Sequence, residues 1–206
     1  FDLPVIQHCE DLNLSAGGVM NEGIVSTRLG LKGIPGAAED SIVARDLILA
    51  KVTQARYHVA HISTAGAVGM VREGRAAGLN VTAEAAPHHF TLTDGAVSGY
   101  DTHAKMQPPL RSEQDVAAVI AGIEDRTIDA IATDHAPNHA NLKMLEFDRA
   151  PFGITGLETA VGLTTTKLEL PVSRLVELFS TNPQRIMKVE GWGLYEGSRA
   201  DLTVLD

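Results

Sequence analysis

Short apolar runs that end in polar residues alternate along this chain with longer runs whose apolar residues recur every three or four positions. The short runs predict strands at residues 5–8, 57–62, 81–85 and 128–133. The longer runs predict helices at residues 39–56, 64–77, 112–124, 156–169 and 172–180, with another that begins at Asn182. Strand–helix alternation of this kind is typical of a parallel sheet covered by helices, so the sequence predicts an α/β fold.

A polar residue lies at or near the end of each predicted strand, namely His8, His61, Glu84 and Asp134. In a (β/α)₈ barrel the active site is built from side chains at these C-terminal strand ends. A complete barrel needs about 250 residues and eight strands, so four strands correspond to half a barrel. The alternation stops near residue 191. We therefore predict half a barrel over residues 1–190 and the start of a small β domain over residues 191–206.

The composition excludes some classes of function. The formal net charge is -9, whereas electrostatic binding of nucleic acid needs a basic surface. No apolar run reaches the roughly 18–20 residues that cross a bilayer, and no signal peptide opens the sequence. A single cysteine, Cys9, forms no disulfide within the chain, which favours a reducing, cytoplasmic setting. Both ends lie in or beside predicted strands, so we expect a longer polypeptide.

Three strand-end residues are candidate metal ligands, because His8, His61 and Asp134 are of types that bind Zn²⁺. Alternate residues of an extended strand share a face, which directs His61 into the barrel and leaves His58 under the helices or in solvent. Taken singly, a histidine at a strand end is more often structural, and an aspartate there is more often a helix N-cap. Their separations are too long for a local ligand-spacing rule, so spacing alone leaves the metal site open.

Other reactive side chains are predicted to be structural. Adjacent residues on an extended chain diverge, so His88 and His89 are expected to serve a loop and not a metal. Cys9 lacks the surroundings of a Cys–His–Asn nucleophile and is expected to be a small buried residue.

Several short motifs occur in a characteristic order. They are His8-Cys9-Glu10-Asp11, GVMNEG at 18–23, His61-Ile62-Ser63-Thr64, Pro87-His88-His89-Phe90, KMQPPLR at 105–111, Thr133-Asp134-His135-Ala136-Pro137 and Ala150-Pro151-Phe152-Gly153. Each is weak alone, but together they resemble the bacterial dihydroorotases of the amidohydrolase superfamily, class I, over nearly the whole chain. The segment 193–202 resembles the small β domain that amidohydrolases pack around their barrel.

The resemblance implies the C-terminal half of a metal-dependent-hydrolase (β/α)₈ TIM barrel with two Zn²⁺ ions in the complete site. In the family, the histidines that match His8 and His61 bind the second metal. The aspartate that matches Asp134 binds the first metal and acts as the acid/base. The implied reaction is the reversible hydrolysis of the cyclic amide of (S)-dihydroorotate to N-carbamoyl-L-aspartate in pyrimidine (UMP) biosynthesis. In it, a metal-activated hydroxide attacks the amide carbonyl while Asp134 passes a proton to the leaving ring nitrogen.

The resemblance also assigns substrate binding to Gln107, Asn138, Phe152 and Gly153. Two of these positions depart from the family pattern. Gln107 stands where asparagine is usual, and Asn138 stands where histidine is usual, which removes a possible charged partner for the substrate carboxylate. These departures weaken the substrate assignment more than the fold assignment.

The family's His-x-His pair for the first metal does not occur in this sequence, nor does the bridging carboxylate or carboxylated lysine. Three of about six expected ligands are therefore present, and we expect the remainder upstream in the full protein. The open edges of half a barrel favour aggregation or pairing with another chain.

Three interpretations follow. The first is an active dihydroorotase, expected to form a homo-oligomer. The second is a related hydantoinase or allantoinase, against which the order of the Pro-Pro-Leu-Arg and Pro-Phe-Gly motifs favours dihydroorotase. The third is an inactive dihydroorotase-like partner of aspartate transcarbamoylase, which the two departures support and the intact His8, His61 and Asp134 oppose.

Overall fold

Four parallel strands form the central sheet of the computed structural model, which describes residues 2–190 and 193–204. In these ranges the strands, in chain order, are β1 (Val5–Gln7), β2 (Met20–Asn21), β3 (Gly33–Ile34), β4 (Tyr57–Val59), β5 (Val81–Ala85) and β6 (Ala130–Ile131). The central sheet has the order β1-β4-β5-β6, and all its pairings are parallel. Strands β2 and β3 form a separate parallel pair.

Helices connect the strands as the alternation predicts. They are α1 (Leu12–Ser15), α2 (Ile24–Leu29), α3 (Ala37–Thr53), α4 (Ala65–Ala76), α5 (Pro87–Thr91), α6 (Glu113–Glu124), α7 (Ala140–Lys143), α8 (Ala160–Lys167), α9 (Val172–Val176) and α10 (Asn182–Met187). Short 3₁₀ turns at Asp94–Val97 and Thr102–Ala104, and a π-helical turn at Glu177–Thr181, complete the chain of elements.

The main core lies between one face of the sheet and helices α3, α4 and α6. Along β5, Val81, Ala83 and Ala85 are buried in this core, while Thr82 and Glu84 point to the opposite face. The fully buried aliphatic side chains around them are Val43, Val59, Val68, Val71, Val119, Ile123 and Ile128. Each contributes about 1.5–3 kcal/mol by leaving water, so this face holds the helices in place and leaves the other face and the strand ends for chemistry.

A second, smaller core holds β2 and β3 beside the loop that follows α5. It contains Met20, Val97, Ala104, Leu110 and Phe147. The buried guanidinium of Arg111 ties this unit to the main sheet. Its Nη1 donates to Asn21 Oδ1 at 3.1 Å and to the carbonyl of Ile34 at 2.9 Å, and its Nε donates to Ser63 Oγ at 3.1 Å. The loop at residues 105–111 is thereby anchored beside the strand ends.

The predicted α/β alternation is confirmed, although three strands are shorter than predicted, the first of them by one residue because it ends at Gln7. The predicted strand 57–62 ends at Val59, and the predicted strand 128–133 is reduced to Ala130–Ile131. The backbone then turns into the left-handed region at His61, with φ 33°, and at Asp134, with φ 45°. The strands end early because these turns carry the chain out of the sheet.

The helix predictions hold in position and differ at their ends. The helix predicted at 156–169 begins only at Ala160, and the one predicted at 172–180 continues as the π-helical turn. The sequence analysis missed the short elements between β1 and α3, because strands of two residues and helices of four and six residues are too short to show a hydrophobic period.

The predicted β domain at 191–206 remains a prediction. Residues 193–204 contain turns and bends but neither helix nor strand. Residues 191, 192, 205 and 206 lie outside the described residues. Elsewhere, no helix in the described ranges has the length and apolar character needed to span a membrane.

Candidate active site

Two predicted metal ligands meet where adjacent strands end. His8 directly follows β1, and His61 follows β4, which pairs with β1 in parallel. Their rings form an edge-to-face contact with centroids 4.8 Å apart. His8 Nδ1 lies 3.0 Å from His61 Nε2. The structure therefore brings these two ring nitrogens together, and their role as ligands to one metal stays a prediction.

The carboxylate of Asp134 is close enough to influence His61. Burial lowers the pKa of His61, and the neighbouring His8 lowers it further, while Asp134 and Glu39 act in the opposite direction. Both His61 Nδ1 and Asp134 Oδ2 are buried and lack a hydrogen-bond partner among the described residues. The environment favours neutral His61, which is the form of imidazole that binds metals.

The described residues do not assemble a complete metal site. No three His, Cys, Asp or Glu side chains in the described ranges converge in a geometry that could hold a metal ion. His8 and His61 are in contact, and Asp134 lies near His61 without joining them in such a group.

The prediction for His58 is wrong. Tyr57 and Val59 lie in the helix-side core, so His58 lies on the opposite face, with its side chain only 3% exposed. Its Nδ1 is 2.7 Å from Thr82 Oγ1 and its Nε2 is 3.2 Å from Glu84 Oε2. The predicted alternation through residue 61 fails because β4 ends at Val59, and the left-handed turn at His61 resets the direction of its side chain.

Glu10 and Gln107 extend the histidine pair into a hydrogen-bonded chain. Glu10 Oε2 accepts a 2.7 Å hydrogen bond from His8 Nε2, and Glu10 Oε1 accepts one of 2.8 Å from Gln107 Nε2. Burial alone would raise the pKa of Glu10, but hydrogen bonds from Ser15, His8 and Gln107 outweigh burial and lower it. The sequence analysis quoted Glu10 within its motif and assigned it no role. Its position two residues after His8 was the available signal.

The other three predicted substrate residues lie together. Asn138 Nδ2 donates to the carbonyl of Phe152 at 3.0 Å and to that of Ala136 at 3.3 Å. Gly153 has φ 139°, and a Cβ there would lie 2.3 Å from the Ala136 carbonyl oxygen, so this close approach needs glycine. The backbone amide of Gly153 donates to the carbonyl of Lys105 at 2.9 Å.

Two buried lysines brace the same loop. Lys105 Nζ donates to the carbonyls of Phe147 at 2.6 Å and Ala150 at 2.7 Å, and it lies 4.7 Å from the centre of the Phe152 ring. Lys143 Nζ donates to the carbonyl of Pro151 at 2.9 Å. With Asn138, three side chains hold three successive carbonyls, so the loop at residues 150–153 is pre-organised.

The prediction that His88 and His89 diverge on extended chain in a loop is wrong, because both lie in helix α5 with ring centroids 4.3 Å apart. His89 is buried, and its Nε2 is 3.0 Å from the Pro108 carbonyl oxygen. Burial lowers the pKa of His88 to about 4, with a further contribution from His61. Cys9 is 3% exposed, with its Sγ 3.1 Å from the Tyr57 hydroxyl, and burial raises its pKa to about 12. Such a thiol is unreactive at neutral pH.

Comparison with known proteins agrees with the motifs. The family model described as "Dihydro-orotase-like" matches residues 1–67. The dihydroorotase of Pelotomaculum thermopropionicum is 57% identical over 98% of this chain and 48% of its own length. That of Solibacter usitatus is 56% identical over 99% of this chain and 48% of its own length. The chain is therefore similar to dihydroorotases over almost its whole length. It spans about half the length of these curated relatives.

Solved structures show the fold of this dihydroorotase-like chain. A D-hydantoinase from Thermus sp. matches 89% of the chain and 43% of its own length, with a TM-score of 0.75 and 24% identity. An L-hydantoinase from Arthrobacter aurescens matches 90% of the chain and 43% of its own length, with a TM-score of 0.77 and 22% identity. The predicted fold, the C-terminal part of a (β/α)₈ barrel, is confirmed by these matches.

Proposed function

We propose that this chain carries part of the active site of a dihydroorotase, which hydrolyses the cyclic amide of dihydroorotate reversibly to N-carbamoyl-aspartate. The observation that carries the proposal is the meeting of His8 Nδ1 and His61 Nε2 at 3.0 Å, beside Asp134, at the C-terminal ends of parallel strands. Relatives that are 56–57% identical over almost the whole chain, and that are named dihydroorotase, support the choice of reaction.

The donor atoms fit zinc. Two imidazole nitrogens and a carboxylate are ligands that Zn²⁺ prefers. Two nitrogens bound to one tetrahedral zinc lie about 3.3 Å apart, close to the observed 3.0 Å. Asp134 Oδ2 is buried and has no hydrogen-bond partner in the described part of the chain, so this oxygen is available to a metal. We propose that other residues of the full-length protein supply the remaining ligands of a two-zinc site.

Each residue then has a defined task. Bound zinc supplies Lewis acidity that polarises the amide carbonyl and acidifies water near neutral pH. His8 and His61 hold it as neutral imidazoles. Asp134 takes the proton from the attacking water and delivers it to the ring nitrogen as the carbon–nitrogen bond breaks. The same transfers in reverse close the ring.

We propose that Asn138, Phe152 and Gly153 surround the substrate, whereas the side-chain amide of Gln107 donates to Glu10 Oε1. The loop at residues 150–153 supports this role because side-chain hydrogen bonds to three of its carbonyls fix its conformation before substrate binds. The carbonyl oxygen of Phe152 keeps a second lone pair for a substrate N–H, although Asn138 already occupies the first.

The test is zinc content and dihydroorotate hydrolysis in the full-length protein and in Asp134→Asn. Removal of an acid/base lowers the rate about 10²–10⁴-fold, so we expect that loss in kcat. The exposed Asp148 provides the matched control, since Asp148→Asn makes the same change outside the site and is expected to leave kcat within twofold.

Other outcomes would decide between the alternatives. Turnover of hydantoin or allantoin without turnover of dihydroorotate would replace the proposed substrate. A folded full-length protein with neither zinc nor turnover would refute the enzyme and favour a structural partner of aspartate transcarbamoylase.

The cellular setting and assembly belong to the same proposal. We propose a cytoplasmic homo-oligomer, in which Cys9 remains a buried free thiol. Sedimentation of the full-length protein tests the assembly state.

A further inference from the structure

We propose that Glu10 and Gln107 are positioning residues that orient the His8 ring, so that its Nδ1, and not its Nε2, is offered to the metal. This inference rests on the proposed function. It assigns Gln107 a task different from the substrate contact that the family resemblance implies.

The Glu10 carboxylate lies between two donors and uses a different oxygen for each. Oε2 takes the hydrogen bond from His8 Nε2 at 2.7 Å, and Oε1 takes the one from Gln107 Nε2 at 2.8 Å. A carboxylate accepts and does not donate, so His8 Nε2 carries the proton in this contact. The lone pair of the neutral ring is then on Nδ1, the atom that meets His61.

Gln107 itself is held by its neighbours in the chain. Met106 and Leu110 are buried, and the carbonyl of Pro108 is 3.0 Å from His89 Nε2. Arg111 ties the end of the same loop to the carbonyl of Ile34. The side-chain amide of Gln107 therefore extends from an anchored backbone, and it can restrain Glu10 instead of following it.

The length of the Gln107 side chain matters for this contact. Asparagine, usual at this position in the resembling family, is shorter by one methylene, or about 1.5 Å. From the same backbone an asparagine amide would lie beyond hydrogen-bond distance of Glu10. The departure from the family pattern is thus what builds the chain Gln107–Glu10–His8.

The experiment compares zinc affinity in the full-length protein and in Glu10→Gln, Gln107→Asn and Gln107→Met, by chelator competition. Loss of a group that orients a ligand weakens metal binding about 10–100-fold, and we expect that range for Glu10→Gln. Gln107→Met keeps the length of the side chain without its donor, and it is expected to weaken zinc binding in the same direction as Gln107→Asn. The matched control is Gln114→Asn, an exposed position on α6, which should bind zinc as the wild type does.

Two further readouts separate positioning from substrate binding. With cobalt in place of zinc, the visible spectrum should shift in the Glu10 and Gln107 variants, because the His8 ring tilts. The KM for dihydroorotate should stay within twofold while kcat falls. A raised KM with unchanged zinc affinity and cobalt spectrum would overturn the inference and restore Gln107 as a substrate contact.

The result also distinguishes the inference from the proposed function. Wild-type protein that binds zinc without hydrolysing dihydroorotate would refute the function, while zinc affinities of the variants would still decide the role of Glu10. If the wild type is active and all variants bind zinc normally, only the inference fails.

Discussion

The surroundings of three histidines that follow strands β4 and β5 favour the neutral form of the imidazole ring. His88 and His89 are buried and His61 is half-buried, and loss of solvent lowers the pKa of each. Neutral imidazoles suit a site that receives a metal, because protons compete with metal for the same lone pair. The same burial makes the fold sensitive to acid, since an unfolded chain releases these rings to water, where they protonate readily.

The pKa of His88 determines in which pH range the free energy of unfolding falls. Its pKa is about 4 in the folded protein and 6.5 in an unfolded chain. The unfolded state therefore binds more protons between these values, and stability, full above pH 6.5, falls as the pH drops towards 4. His88→Gln should make this acid-induced decrease in the free energy of unfolding smaller by about 3 kcal/mol.

Urea unfolding at pH 7 and pH 4.5, on metal-free protein so that metal release plays no part, measures the effect. The exposed His103 serves as the control through His103→Gln, which should keep the full pH dependence. An equal pH dependence in His88→Gln and wild type would show that His88 is not the source.

At the scale of elements, side chains that end helices and loops determine where the site residues lie. Thr64 caps α4 just after His61, and its Oγ1 accepts from the backbone amide of Ala67. Ser112 caps α6 just after the anchored loop at 105–111, in a reciprocal capping box with Asp115. Asp115 also accepts from the backbone amide of Ala65 at 2.9 Å, so one carboxylate joins the starts of two helices.

Removal of the α6 cap should destabilise the fold measurably. Ser112→Ala leaves helix-terminal amides without their acceptor, which costs about 1 kcal/mol. Urea unfolding of the full-length protein at pH 7 provides the measurement. Ser173→Ala changes an exposed serine on α9 and should shift the midpoint much less. No difference between the two variants would contradict the capping role.

The loop at residues 150–153 should loosen when Asn138 is truncated. Asn138→Ala removes the donor to the half-buried Phe152 carbonyl, and a hydrogen bond of this kind contributes about 0.5–1.5 kcal/mol. We expect faster amide hydrogen exchange at Gly153, whose amide bonds to the carbonyl of Lys105. Asn141→Ala, on the exposed side of α7, is the control, and unchanged exchange in Asn138→Ala would refute the bracing role.

At the scale of the whole molecule, the central sheet has two edge strands in the described residues, β1 and β6. In the described residues β1 pairs only with β4, so its other side is open. Leu3, Val5 and Ile6 on or beside this edge are 67%, 55% and 48% exposed. An exposed apolar edge strand is a template for pairing with another chain. The curated relatives are about twice as long as this chain.

The 206-residue chain, expressed alone, is therefore expected to self-associate. Ile6→Lys places a charge on the open strand and should shift the chain towards monomer in light scattering. Leu194→Lys, which changes a side chain that is 91% exposed and away from the sheet, should leave association unchanged. A monomeric wild-type chain would refute the expectation.

Much of the fold was predictable because it depends on short-range patterns. Apolar alternation located all four strands of the central sheet, and caps such as Ser112 marked the start of helices. Chemistry at strand ends identified His8, His61 and Asp134 as candidates, and the motif order identified the family. The apolar patterns, the helix caps and the polar strand ends are local, so a window of about ten residues contains the information that specifies each of them.

The remaining features arise from contacts between residues far apart in the chain. No local pattern predicts that Gln107 bonds to Glu10, 97 positions away, or that Asn138 bonds to Phe152. The alternation that placed His58 under the helices failed because β4 stops at Val59, before the left-handed turn at His61. Hydrophobic period decides which face of a strand is buried. The side chains that share the other face, and the hydrogen bonds between them, depend on how the folded backbone brings distant segments within 3 Å of one another.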